Sequence, residues 1–318
     1  MRFSILIPAY KLHYLKTCID SVIAQSFGDF EVIILNDNSP EDIESIIKSY
    51  SDNRIKYFKN SSNVGAEEVV DNWNKCLSES KGDYVLCMGD DDCLASNCLE
   101  VYNQLINKYP QSHVYHAWTC IIDEDGKAIK MQEKRPEVES KYSALYGRWF
   151  NRRMQYIGDW LFQRESLKAN GGFYKLPYAW GSDDITAIMC AMDQPIINSQ
   201  IPLFFYRENQ QTISNSGNNK GKAVALNLQK QWFEVFFDNV GNIIDRPSQL
   251  FLHYSMAHLS EYFNNEFVVC IREDLIENRK LSDLAYWLRT SSAIEVGRLK
   301  IVFLYLKTII KHVLCIKR

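Results

Sequence analysis

The sequence predicts an α/β fold: a mostly parallel central sheet flanked by helices, followed by a C-terminal helical extension. Three observations carry that expectation. Short runs of consecutive apolar residues alternate with stretches whose apolar residues recur every three or four positions, as right-handed β-α-β crossovers require. The chain has 318 residues, 46% hydrophobic and 24% charged, an ordinary globular composition with ample material for a core. Beyond residue 215 the strand patterns stop and helical spacing runs to the end.

Each element follows from its pattern. Residues 3–7 form an apolar run closed by Pro8, too short for a signal peptide and read as the first strand. Leu15, Ile19, Val22 and Ile23 share one helical face. Residues 30–35 are a second buried strand, and Ile43, Ile46 and Ile47 mark a short helix. Residues 55–58 make the third strand; Val69, Val70, Trp73 and Leu77 make the helix after it. Residues 84–88 are the fourth strand, and the helix of Cys98, Tyr102, Leu105, Ile106 and Tyr109 stops at Pro110. Residues 113–122 predict a longer strand, with a turn at 123–126 leading into Ala128 and Ile129. Residues 131–141 are polar, contain Pro136 and read as a mobile loop. A helix is expected near Asp183, and residues 196–206 read as a strand pair broken at Pro202. The Asn/Gly/Ser-rich stretch 215–221 is the best linker, dividing a catalytic domain at 1–215 from a helical region at 216–318.

Charge and cysteine usage narrow the class. With 36 basic and 39 acidic residues the net charge is -3, which excludes a dedicated nucleic-acid binder. Nine cysteines without a C-x-x-C pair read as buried, reduced thiols rather than a disulfide or zinc framework. The final stretch carries Arg298, Lys300, Lys307, Lys311, Lys317 and Arg318 and no acid, so an acidic body bears a basic tail. Lysines interrupt residues 299–316 too often for a membrane-spanning helix. Lys300, Lys307, Lys311 and Arg318 fall on one helical stripe, opposite Ile301, Val302, Leu306, Ile309, Ile310 and Val313. Such a helix either lies in the interface of an anionic membrane or packs its apolar side on protein. The acid-free basic face favours the membrane.

Ligands of open parallel sheets bind outside the carboxyl ends of the strands. Those ends carry Pro8-Ala9-Tyr10, Asn36-Asp37-Asn38-Ser39, Asn63-Val64-Gly65 and Gly89-Asp90-Asp91-Asp92. Three adjacent carboxylates repel one another, and a hard divalent cation, Mg2+ or Mn2+, would neutralise them while leaving positions for phosphate oxygens. The competing explanation is an acidic helix start capped at Ser96-Asn97, which accounts for one or two of the acids. The loop after strand one has no glycine, so it forms neither a dinucleotide fingerprint nor a Walker loop, and it disfavours a nucleotidylyltransferase. Tyr10 is then placed to stack on a base and Asp37 to accept from a ring N–H. Asp183-Asp184 read either as a general base or as acids capping the helix that follows. Trp118, Trp149, Trp160 and Trp180 read as core before sugar-stacking groups.

With these motifs in order, the chain resembles a family 2 glycosyltransferase of the GT-A fold over about its first two-thirds. Residues 5–10, 25–27 with 30–34, 36–39, 63–65, 82–85 running into 89–92, 181–184 and 202–207 carry the resemblance. It implies an inverting, metal-dependent hexosyl- or N-acetylhexosaminyl-transferase using a nucleotide sugar, typically a UDP sugar, with Mn2+ or Mg2+ on the diphosphate. The acceptor it implies is a glycan or lipid-linked hydroxyl in surface polysaccharide synthesis. The short N-terminal apolar run, read as a strand and not a signal peptide, sets the expectation of a cytoplasmic location, extended by the basic tail to the inner face of the cell membrane. Pro8, Ala9, Tyr10, Asn63 and Gly65 then line the nucleotide pocket, and Asp37 recognises the base. Asp90 falls with Asp91 on the motif that binds ribose and metal, and Asp92 follows it, so the metal set is Asp91 and Asp92 with the ligand among the three acids left open. Asp183 and Asp184 fall on the pair that supplies the base, with Asp184 as the base itself, and Arg207 falls near the phosphates. Gly89 and Asn209 depart from the family pattern, where an acid and a histidine stand. Those departures motivate one rival, a non-catalytic nucleotide-sugar-binding subunit, which Asp91 and Asp184 oppose.

Overall fold

The computed structural model describes residues 1–209, 218–241 and 245–316, with side chains described as far as residue 310. The expected linker residues 215–217, the boundary after residue 215 and the charges of Lys317 and Arg318 lie outside the described residues, as do the Lys311 and Val313 side chains. The chain divides into two compact units, Met1–Lys175 with Ser182–Asn209, and Leu176–Gly181 with the remainder from Gln210.

The first unit is built on one sheet of strands β1 (Phe3–Ala9), β2 (Phe30–Asn36), β3 (Ile55–Lys59), β4 (Tyr84–Cys87), β5 (Cys93–Leu94), β6 (Val114–Ile122), β7 (Ala128–Met131), β8 (Val138–Glu139), β9 (Trp160–Gln163) and β10 (Ile196–Arg207). Their order is β3-β2-β1-β4-β9-β6-β10-β5, with β7 added to β6 and β8 to β10. Strands β1 to β4 are parallel, as is the β6–β10 pair, whereas β9 runs antiparallel to both neighbours. β1 and β2 are almost wholly buried, which is why they read as unbroken apolar runs. The helices are α1 (Leu15–Ile23), α2 (Ile43–Lys48), α3 (Val69–Glu79), α4 (Cys98–Lys108), α5 (Lys141–Phe150), α6 (Arg164–Ala169) and α7 (Ser182–Ala191). α1 buries Leu15, Cys18, Ile19 and Val22, three of them the residues its spacing singles out. The core joins these to Ile5, Ile7, Val32, Ile34, Leu86, Tyr102 and Leu161.

Four features depart from the sequence expectation. Residues 131–141 are tied down: β8 pairs with Ile196 and Ile197, and Arg135 and Glu139 are buried. Residues 196–207 form one strand rather than a pair, with register shifts on both sides of Pro202 that absorb its missing N–H. β9 and α5 occupy sequence with no clear pattern. Asp90 to Asp92 open no helix; they turn into β5, and Asn97 precedes α4 without a side-chain cap bond.

In the second unit, Tyr178 and Trp180 pack with α8 (Asn219–Asp238). Asn218 Nδ2 donates to the Tyr178 hydroxyl, and Gln229 Nε2 donates to the Trp180 carbonyl at 3.1 Å. Helices α9 (Arg246–Ala257), α10 (Leu259–Asn278), α11 (Leu281–Thr290) and α12 (Arg298–Ile316) complete it. Phe233, Phe263, Phe267, Ile271, Leu275 and Trp287 are buried there, and Trp287 Nε1 donates to Asp274 Oδ2 at 2.7 Å. Along α12 the expected apolar stripe splits: Ile301 is fully buried, while Leu306 and Ile310 are exposed. Exposed beside them are Leu299, Phe303, Lys300 and Lys307. Among the described residues no helix is long and apolar enough to cross a membrane. The eight described cysteines are all free.

Candidate active site

The parallel register of β1 and β2 sets Ala9 beside Asn36, so the loops leaving both strands emerge together. Asp37 N donates to Ala9 O at 2.9 Å, and Ser39 Oγ donates to Tyr10 O at 2.6 Å, fastening one loop to the other. Ala9 is buried, Pro8 is half-buried, and the Tyr10 ring stands 44% exposed at the rim. Asp37 is buried, and its Oδ1 accepts from Asn60 Nδ2 at 2.8 Å and from Val64 N at 3.0 Å. Among the described residues its Oδ2 has only the longer 3.3 Å approach of Val64 N. Gly65 holds φ at +80°, a conformation that costs a glycine least, and so shapes the turn that aims Val64 N–H at Asp37. Asn63 is exposed on the same turn. Asn60, which no sequence pattern marks, is itself held by Asn72 Oδ1 at 2.8 Å and Lys75 Nζ at 2.6 Å.

Asp90, Asp91 and Asp92 are 5%, 6% and 4% exposed. Asp90 Oδ2 accepts from the backbone N–H groups of Tyr10 and Lys11, both at 2.7 Å, binding the acid loop to the end of β1. Asp91 Oδ2 accepts from Lys11 Nζ at 2.6 Å and from Asn209 Nδ2 at 2.9 Å. Asp92 Oδ1 accepts from Arg207 N at 2.9 Å. Burial pushes the Asp90 carboxyl up to about 6 against the pull of Lys11, and burial followed by the Asp91 charge pushes Asp92 up as well. Arg207 is buried and spends its guanidinium on the carbonyls of Asp91, Asp123 and Glu124 at 2.9–3.0 Å, stacked over Tyr14. It ties the end of β10 to the acid loop.

Gly89 explains itself here. A side chain at that position would set its Cβ 2.8 Å from Asp91 Oδ1 and 2.9 Å from Asp92 Oδ2, so it would push both carboxylates out of their present positions. Those two oxygens converge there, while the bonds from Lys11, Asn209 and Arg207 go to the other oxygen of each carboxylate. Mg2+ and Mn2+ are held by one or two carboxylates together with substrate phosphates, so this donor pair fits such an ion only with a diphosphate supplying further oxygens. In keeping with that, among the described residues no group of three or more His, Cys, Asp or Glu side chains could hold a metal.

The second acidic group begins α7, where Asp183 and Asp184 occupy the first turn and favour the helix dipole. Their circumstances differ. Asp184 is buried; its oxygens take Arg148 Nε at 3.1 and 3.3 Å and Gln155 Nε2 at 2.5 Å. Asp183 is half-buried, and its carboxyl is pushed up by burial first and then by the neighbouring Asp184 charge, against the pull of Arg148. Behind the pair, buried Asp159 is pushed up to about 8 by burial, accepting from Thr119 Oγ1 at 3.1 Å and Tyr156 N at 3.2 Å. Tyr156 stacks on Tyr206 with ring centroids 3.7 Å apart and feels the charges of both Asp159 and Asp92. Trp149 and Trp160 are core residues, and Trp118 is half-buried with its Nε1 donating to Gln132 O at 2.8 Å.

Relatives and structural neighbours point the same way. Over 148 residues the chain is 31% identical to the GalNAc(5)-diNAcBac-PP-undecaprenol beta-1,3-glucosyltransferase of Campylobacter jejuni, the match covering 44% of this chain and 46% of that one. The matched stretches thus span less than half the length of such curated relatives. The structure superposes on TarS residues 1–349 of S. aureus in complex with UDP-GlcNAc, with a TM-score of 0.64 at 16% identity, covering 97% of this chain and 90% of that one. A mannosyltransferase of Pyrobaculum calidifontis, in complex with GDP-Man and Mn2+, superposes with a TM-score of 0.55 at 16% identity over 98% and 87% of the two chains. The fold is GT-A-like: a curled mixed sheet with flanking helices and C-terminal helices. The model of the family described as Glycosyl transferase family 2 matches residues 4–171, the stretch that contains both strand-end loops and the acid loop, and the chain belongs to that family.

Proposed function

We propose that the protein transfers a sugar from a UDP sugar to a hydroxyl of a glycan or lipid-linked acceptor, with inversion at the anomeric carbon. The observation that carries this is the union of the Asp37 loop, the Tyr10 rim and the two-oxygen cradle of Asp91 and Asp92 at the ends of β1, β2 and β4. Tyr10 offers a ring face to the base, and Asp37 Oδ2 an acceptor for a ring N–H. Asn63 and Gly65 border the same pocket. Asp91 and Asp92 would hold Mg2+ or Mn2+, which when bound supplies charge stabilisation to the departing diphosphate. Arg207 positions the acid loop rather than the phosphates, because its Nε and Nη1 already bond backbone carbonyls and its Nη2 lies against Cys93 Sγ.

For the proton acceptor we take Asp183, not the Asp184 that the sequence favours. Both Asp184 oxygens are bonded to Arg148, one of them also to Gln155, which leaves Asp183 as the carboxylate of the pair open to an acceptor. As the new bond forms, Asp183 takes the acceptor's proton; a single base opposite the leaving group gives one displacement and inversion. Two observations favour the catalytic reading over a non-catalytic subunit: a Cβ at Gly89 would crowd the Asp91 and Asp92 carboxylates, and Asn209 bonds Asp91. The acceptor class draws support from the Campylobacter relative, whose name gives an undecaprenol-linked substrate. With the basic, apolar face of α12, that supports work in surface polysaccharide synthesis at the cytoplasmic face of an anionic membrane.

Release of UDP from a panel of UDP sugars, with and without Mn2+, tests the proposal. Metal-stimulated release with an acceptor is expected. Turnover that persists in excess EDTA overturns the metal, and UDP binding without turnover overturns the catalytic reading.

A further inference from the structure

We propose that Lys11 is the resident counter-cation of the acid loop and changes partner on donor binding, leaving Asp91 for the diphosphate as a divalent ion takes its place. The inference rests on the metal reading above and adds a role for a residue outside it. Lys11 Nζ stands 2.6 Å from Asp91 Oδ2 and 3.8 Å from Asp90 Oδ1. The other nearby cation, Arg207, turns its guanidinium to backbone carbonyls, so among the described residues Lys11 alone brings side-chain positive charge onto these carboxylates.

The backbone of Lys11 is pinned, because its N–H donates to Asp90 Oδ2 at 2.7 Å. Its side chain is not: a quarter of it is open to solvent, and its stem has four rotatable carbons. A divalent ion held by Asp91 and Asp92 would share the Asp91 carboxylate with this ammonium, and two cations on one carboxylate repel. Among the described residues the two converging oxygens are what the protein would offer the ion, so the diphosphate would arrive beside them. Its oxygens then offer the displaced ammonium a stronger partner than water within reach of the same stem. Lys11 therefore opposes the ion when nucleotide is absent and helps hold nucleotide when both are present.

Those effects have opposite signs, which separates this role from a merely structural one. Mn2+ binding is read from the EPR signal of free Mn2+ for wild type, Lys11→Met and Lys11→Arg, without nucleotide and with UDP, and melting curves confirm that each variant is folded. Without nucleotide, Lys11→Met is expected to bind Mn2+ about 5–10-fold more tightly than wild type, and Lys11→Arg to bind as wild type does. With Mn2+ present, the UDP affinity of Lys11→Met is expected to fall by about tenfold. Unchanged or weaker Mn2+ binding by nucleotide-free Lys11→Met overturns the inference while leaving the metal reading in place, and so does unchanged UDP affinity. Failure of every variant to take up Mn2+ even with UDP removes the metal reading and this inference with it.

Discussion

At Asp184 the carboxylate is spent on Arg148 and Gln155, and at Asp183 it is not. Asp183→Asn keeps shape and removes the proton acceptor, so turnover is expected to fall by roughly 10²–10⁴ while donor affinity holds. Asp184→Asn is expected to lower the melting temperature and to spare turnover in the protein that remains folded. Loss of turnover confined to Asp184→Asn would return the base to that residue. The pH profile carries the same assignment. A base works only when ionised, and burial with the Asp184 charge raises the Asp183 pKa, so activity is lost as pH falls through a value above the ordinary carboxylate range of about 4. The sequence displays Asp37, Asp90, Asp91 and Asp92 because acids directly after buried apolar strands are out of place there. It does not display Lys11, Asn60, Arg148 or Gln155. Lys11 meets Asp91 across 80 positions and Arg148 meets Asp184 across 36, and neither has a local pattern to announce the meeting.

Among elements, legibility follows burial and length. β1 and β2 are seven residues each with almost every side chain inside, and so stand out as apolar runs. β9 has four residues, and α5 buries only Ala144, Leu145, Gly147 and Trp149 of its ten, too few to set a period. β10 misleads because Pro202 ends a strand pattern by rule, whereas here a bulge carries the strand past it. The short turn Ile157–Asp159 that leads into β9 depends on Gly158, where a Cβ would lie 2.3 Å from Cζ of Phe204 on β10. Phe204 is fully buried and cannot give way freely. Gly158→Ala is therefore expected to cost about 1–3 kcal/mol, measured as a lower urea midpoint with an unchanged slope.

For the molecule as a whole, charge asymmetry is the feature that sequence conveys and structure refines. On α12 the exposed apolar residues are Leu299, Phe303, Leu306 and Ile310, at 88%, 64%, 53% and 59% exposure, spaced along one helical stripe with Lys300 and Lys307 beside it. Full-length protein is expected to sediment with anionic liposomes and to release at high salt. Phe303→Glu with Leu306→Glu is expected to abolish the binding without touching buried Ile301. Equal sedimentation of the two proteins, or none by either, would make α12 a packing element only. Sequence could not choose this stripe, because helical spacing alone does not say which apolar residues the neighbouring helices cover.

Leu176–Gly181 belongs to the second unit, although Ser182–Asn209 returns to the first, so the chain passes from one unit to the other three times. The proposed base stands two residues beyond the second of these passages. For a gene, this arrangement resists shuffling. A recombination joint between Asn209 and α8 would graft a foreign helix opposite this chain's Tyr178 and Trp180, whose partners Asn218, Gly221 and Gln229 lie downstream. The two units are therefore bound to be inherited together, and the helical unit changes by substitution within it rather than by exchange of the unit.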